Sequence, residues 1–378
     1  MKKRFQLTTL FLAASLAAAA QNPDSRLYRR SGNEWVQEIK GTLPATMIFK
    51  IKSSAGSIRV EGMQQNNVTY TVREHVRAGS KEAARRELSR LKFTATSSAE
   101  AALLRAVCEG PNHGYIDFEI QLPAQTAVVK LETASGTVTT KNISGKVDAT
   151  TGGGNIQLDQ IGGVISVVSG GGDIDIGKAG SDVSVATGSG NIHIESAAGR
   201  VVASTGGGNL RIGAGKVMSL RTGAGWIQVS KCEGQVKAVT AGGSIELNEI
   251  LGAALIETGG GGIKVGPISG GVRAETGSGP IVATLVRGAS AFTASRLETE
   301  VGDIIVYVPD GLGVTIRAAV EVARSDGIRS EFPELKITRS GDFGAREAYA
   351  EGSLNGGGPM LQVHTSTGNI VFKRKGKE

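Results

Sequence analysis

Thr151-Gly152-Gly153-Gly154-Asn155-Ile156 is one copy of a phrase that runs through the middle of the chain. It returns as Ser169–Ile174, Thr187–Ile192, Thr205–Leu210, Thr222–Ile227, Thr240–Ile245, Thr258–Ile263 and Thr276–Ile281. The closing Ile or Leu steps by 18, 18, 18, 17, 18, 18 and 18 residues. A fixed period in this range marks a repeat array, in which each unit buries its apolar face only against its neighbours.

With the closing Ile or Leu as position zero, the columns separate by chemistry. Positions −9 and −7 carry pairs such as Val147/Ala149, Ile165/Val167 and Met218/Leu220. Positions 0 and +2 carry Ile156/Leu158, Ile174/Ile176 and Ile245/Leu247. Alternation in two short runs predicts two strands per coil, each turning every second side chain inward. The Gly-rich link between the runs is where the chain needs positive φ or close backbone approach. Position −5 is Thr or Ser from Thr133 to Thr276 and shares the inward parity, so its hydroxyl needs a partner, either the Thr of the next coil or an adjacent turn carbonyl. The expectation is an all-β, parallel β-solenoid (β-helix) of about 18-residue, two-strand coils. Ten or so coils at about 4.8 Å each make a rod roughly 45–50 Å long.

The flanks read differently. Residues 1–20 have the form of a signal peptide: basic Met1–Arg4, apolar Leu7–Leu16, then Ala18-Ala19-Ala20 before Gln21. The expected protein is therefore exported, to the periplasm, the cell surface or beyond. No later stretch is long and apolar enough for a transmembrane helix. Residues 21–125 form an N-terminal cap: a polar lead-in to 45 with a first strand at 34–42, a degenerate coil through Ser53, Gly56 and Ile58, and one helix near 80–91 started by Ser80. Three strand-like runs follow, at 92–96, 101–108 and 115–122. Residues 126–308 are the regular coils. Residues 309–378 form a C-terminal cap, irregular over 324–358, with a final coil at Thr365, Gly368 and Ile370.

Strand, Ser53-x-x-Gly56-x-Ile58, helix, Gln121-Leu122-Pro123 and then serial Thr-Gly-x-Gly-x-Ile coils together resemble the bacterial "putative adhesin" family of unknown function, related to GIN-type autotransporter adhesin heads. The resemblance covers about residues 46–372. It implies a β-solenoid fold and an adhesin-like role, and brings no catalytic residue with it.

Composition narrows function. The formal charge is +7, of which Lys2, Lys3 and Arg4 supply three, and Lys373, Arg374, Lys375 and Lys377 crowd the tail. With 4% aromatic residues and no basic cluster beyond that tail, nucleic-acid binding is not expected. The glycines do not form a phosphate loop, since no Lys-Ser/Thr follows them and no helix opens after them. His193 and Glu195 share an outward strand face, but His75, His113 and His364 lie in other segments, so no metal site is assigned. No cofactor is expected. Gly170–Asp175 has the look of a calcium-binding repeat, yet Gln157, His193 and Arg211 replace Asp175 in adjacent coils. Cys108 and Cys232 are 124 residues apart, and Cys232 occupies a column held mostly by Ile, Ala and Val, which predicts a buried thiol.

Three residues are the candidate ligand contacts. Glu257 and Glu275 stack at −6 beside Arg273. Trp226 stands where earlier coils have Asn155, Asp173, Asn191 and Asn209, and could stack on a sugar ring. The plainer readings are a surface ion cluster and a Trp that covers a coil one residue short. No catalytic set emerges, and the chain reads as a non-catalytic binding module whose partner is an envelope glycan or a surface protein. The alternatives are a carbohydrate-active β-helix enzyme and a self-associating envelope scaffold.

Overall fold

The computed structural model describes residues 24–109, 114–288, 291–340 and 347–376. The expected signal segment 1–20, His113 and Lys377 lie outside them. The coils form as the columns predict. Ile156 is the parallel partner of Ile174, Ile174 of Ile192, and Ile192 of Leu210, and the series continues to Ile281 and Ile304. Every inward residue of the two strands is buried, Ile156, Ile194 and Val229 to 2% exposure or less. Because one coil cannot hide these side chains alone, burial is complete only in the stack. At +5, Ile143 and Ile161 turn inward against the alternation, and Asn142 and Gln160 before them take left-handed φ of 60° and 53°.

Two side-chain ladders tie the coils together. Each −5 hydroxyl donates to a glycine carbonyl of the preceding coil: Thr187 to Gly172 at 2.8 Å, Thr205 to Gly190 at 2.8 Å, Thr222 to Gly208 at 2.7 Å. Several also accept from the glycine amide of their own turn, as Thr205 does from Gly208 N at 3.2 Å. This is the partner that a buried hydroxyl requires. At −1, Asn155 Oδ1 accepts from Asp173 N, Asp173 from Asn191 N, and Asn191 from Asn209 N, at 2.7 to 2.9 Å.

The turn glycines are there for close approach more than for left-handed backbone. A Cβ at Gly154, Gly190, Gly208 or Gly261 would fall on the carbonyl oxygen of the glycine one coil earlier, and none of these four has positive φ. The one-residue-short coil also differs from expectation. Arg200 pairs with Val217 whereas Ser196 pairs with Ala214, so the missing residue falls in the turn at Lys216, opposite Trp226. The turn that carries Trp226 is full length.

Both ends are built out of chain order. Strands Ile48–Ser53 and Ile58–Met63 stack in parallel directly on Val128–Thr133 and Val138–Ile143. The intervening segment supplies the next coil outward, Ala101–Cys108 and Tyr115–Pro123. Antiparallel strands then close the end: Leu91–Ser97 on the first, Asn67–Arg77 on the second, followed by Glu34–Pro44 and Asp24–Ser31. The helix is Lys81–Leu88, with Ser80 accepting from Ala83 N at 3.2 Å and Ala84 and Leu88 buried.

At the other end, Met360–Arg374 provides both strands of a coil that lies against Ser295–Val301 and Ile304–Val308. The expected final coil is therefore an inner one. Outside it runs Val314–Ser330, and Glu347–Leu354 and Lys336–Ser340 complete the edge antiparallel. The stretch expected to be irregular is thus largely strand. Its polarity misled because these strands have one face in solvent. A free parallel edge invites another chain, and antiparallel strands at both ends keep a further coil from continuing the array. Cys232 is fully buried, as its column predicts, and burial pushes its thiol up; both cysteines are free.

Candidate functional site

Outward residues of the first strand in each coil make two columns, at −8 and −6. Toward the C-terminal end these columns become charged and extend over seven adjacent strands. The first runs Leu255, Arg273, Arg296, Gln362, Arg317, Glu351, Lys336, each the lateral partner of the next. The second runs Glu257, Glu275, Glu298, His364, Ala319, Tyr349, Thr338 by the same pairings. Residues two apart on a strand share a face, so each row presents one member of each column side by side.

The three arginines are paired. Arg273 Nε donates to Glu275 Oε1 at 2.8 Å, Arg296 Nε to Glu298 Oε2 at 2.7 Å, and Arg317 Nε to Glu351 Oε1 at 2.9 Å. The Glu275 carboxylate, through its hydrogen bond, raises the Arg273 guanidinium. His364 bridges two acids, with Nε2 3.1 Å from Glu321 Oε1 and Nδ1 3.6 Å from Glu298 Oε1. Glu257, Glu275, Glu298 and Glu300 border a shallow hollow of about 490 Å3. Next to it, a larger groove of about 800 Å3 runs from Arg296 across Arg317 and Tyr349 to Lys336.

The structure therefore brings Glu257 and Glu275 together as neighbours. Trp226 is not with them. It lies in a turn, half-buried, with the Arg211 guanidinium 5.5 Å from its ring centre. Its backbone amide ends the −1 ladder by donating to Asn209 Oδ1 at 3.0 Å. A separate small cavity of about 230 Å3 joins it to Gln228 and Glu246.

Glu298 and His364 are legible in the sequence as members of this face, since they stand at −6 from Ile304 and Ile370, in the column of Glu257 and Glu275. Arg317, Tyr349 and Lys336 had no such signal, because the strands that carry them join the sheet out of chain order.

A second polar cluster sits in the N-terminal cap. His75 is buried, with Nδ1 3.0 Å from Glu34 Oε1, and its ring stacks on Tyr115 at 4.3 Å. The hydrogen bond from His75 draws the Glu34 carboxyl below its usual range. Its Nε2 lies 3.4 Å from Asp117 Oδ2, without the alignment of a hydrogen bond. The two carboxylates flank opposite sides of the ring, so they do not converge on one point. Among the described residues no three His, Cys, Asp or Glu side chains are placed to hold a metal ion.

Glu74 is the carboxyl furthest from ordinary behaviour. It is buried on the side of its strand shared with Val72 and Val76, and desolvation raises it to about 7. It faces the interior of the cap, away from the charged columns.

No family model and no curated sequence matches the chain. Among solved structures, a "putative cell adhesion protein" from Clostridium sporogenes matches at 10% identity over 93% of this chain and 100% of that one, with a TM-score of 0.19. A "putative adhesin" from Parabacteroides distasonis matches at 10% identity over 71% and 96%, with a TM-score of 0.30. Another, from Parabacteroides merdae, matches at 11% identity over 74% and 99%, with a TM-score of 0.29. The chain is similar to proteins named as adhesins. Likeness at this level says nothing of what any of them binds.

Proposed function

We propose that this chain is an exported, non-catalytic β-solenoid that serves as an adhesin-like binding module at the cell envelope or surface. Its contact surface is the charged two-column face of the C-terminal coils, and its partner is an envelope glycan or a surface protein. The observation that carries the reading is the face itself: seven strands wide, it offers paired donors and acceptors in rows on a rigid sheet. Binding groups held on strands need little ordering when a partner arrives. In this reading residues 1–20 direct export, 21–125 and 309–378 are caps, and 126–308 are the load of regular coils between them.

Several features weigh against an enzyme. Glu275 and Glu298 are each matched by an arginine on the same strand, and both stand half-buried at the edge of a shallow hollow. Hydrolysis of a glycosidic bond instead needs two carboxyls with separated roles around a bound sugar.

The test is a binding and turnover screen of the secreted protein against envelope fractions and isolated glycans. Saturable binding without release of shorter products is the expected result. Glycan depolymerisation that disappears in a Glu257→Gln, Glu275→Gln double variant would replace this reading with the enzymatic one.

A further inference from the structure

The groove beside the acidic hollow is close to balanced in charge. Arg296, Arg317 and Lys336 line it with Glu334 and Glu351, Glu298 of the adjoining hollow reaches across to Arg296, and two of the three cations are already in hydrogen-bonded pairs. An anionic ligand would have to break those pairs and then face the freed carboxylates. A cationic ligand meets the converse problem. A ligand rich in hydroxyls has neither difficulty. A guanidinium has five N–H donors and a carboxylate about four acceptor sites, so each pair keeps free capacity for hydroxyls that both donate and accept.

Tyr349 supplies the other half of a sugar site. It is 47% exposed in the second column. Its hydroxyl donates to Glu347 Oε2 at 3.1 Å, which fixes the ring at its outer end. Its lateral neighbours are the small Ala319 and Thr338. A fixed aromatic ring with small residues on both sides and oriented polar groups one row away fits a pyranose, apolar on its C–H face and polar at its rim. Successive rows lie about 4.8 Å apart across the sheet, so a chain of sugars laid along the rod meets a polar row at each step.

We propose that this groove binds a neutral oligosaccharide, stacked on Tyr349 and hydrogen-bonded by the Arg296–Glu298 and Arg317–Glu351 pairs. The proposal rests on the binding-module reading and names the class of its ligand.

Isothermal titration of the whole protein with panels of neutral and anionic oligosaccharides, at low salt and at about 0.5 M salt, tests it. The expected result is saturable binding of at least one neutral glycan tighter than about 1 mM. Its affinity should change less than about twofold with salt, because neutral ligands are not screened. Tyr349→Ala should weaken it about tenfold or more, while Trp226→Ala, on another face, should leave it within about threefold.

Two results overturn the ligand class while leaving the module standing: envelope binding with no neutral glycan bound, or binding confined to anionic chains and lost with salt. Neutral binding indifferent to Tyr349→Ala overturns the groove as its site. Absence of both glycan and envelope binding overturns the module as well.

Discussion

Gly207 and Gly208 are neighbours in the chain under opposite constraints. A Cβ on Gly207 meets nothing within 4 Å, whereas one on Gly208 would fall on the Gly190 carbonyl oxygen of the coil before. That oxygen also accepts the Thr205 hydroxyl, so it cannot move aside without loosening a buried hydrogen bond. Gly208→Ala is therefore expected to cost about 2–4 kcal/mol and Gly207→Ala less than about 1 kcal/mol. Chemical denaturation of the two variants checks this, and equal costs would mean that the coils do not approach as closely as described. At this scale the sequence was highly informative, because period alone assigns Ile, Thr and Gly to columns. It left open why the turns are glycine, and the stack answers with close backbone contact, since positive φ is confined to a few positions such as Gly56, Gly136 and Gly279.

Strands and the helix were also legible one at a time, while their order in the stack was not. Ser80 and the Ala84/Leu88 face announced the helix, and alternation announced Ala101–Cys108 and Tyr115–Pro123. Nothing local says that those two strands stack outside Ile48–Ser53 and Ile58–Met63, because a parallel partner is chosen by the whole coil and all coils share one pattern. Asp24–Ser31 reads as polar lead-in for a related reason: at an edge, charges such as Arg26, Arg29 and Arg30 guard against further pairing.

The cap also carries a pH dependence of its own. Glu74 in the folded cap titrates near 7 against an ordinary 4.5, so the folded state holds this proton more tightly than the unfolded chain does. The stability from that proton is complete below about pH 4.5 and is lost as pH rises through 7. Glu74→Gln removes the charge and keeps the shape. Its melting temperature relative to the native protein is expected to rise between about pH 5 and pH 8. A constant difference across that range would show that Glu74 is not desolvated.

Over the whole molecule, the repeating phrase makes the rod and the variable outward columns give it a face. Glu257 and Glu275 were visible as a stacked pair, and the same column extends through Glu298 to His364. The rest of that face needed the fold, because Arg317, Tyr349 and Lys336 reach it on the outermost strands, which Met360–Arg374 separates from the regular coils. Trp226 belongs to another surface and closes a ladder of asparagine-type side chains.

The most direct measurement is envelope binding by two variants of equal thermal stability. Tyr349→Ala alters the C-terminal face, and Gly207→Lys plants a long charged side chain in the open turn of the phrase. Binding should fall about tenfold or more in the first and remain native in the second. Loss in Gly207→Lys with native binding in Tyr349→Ala would place the contact surface on the repeated turns and contradict the account.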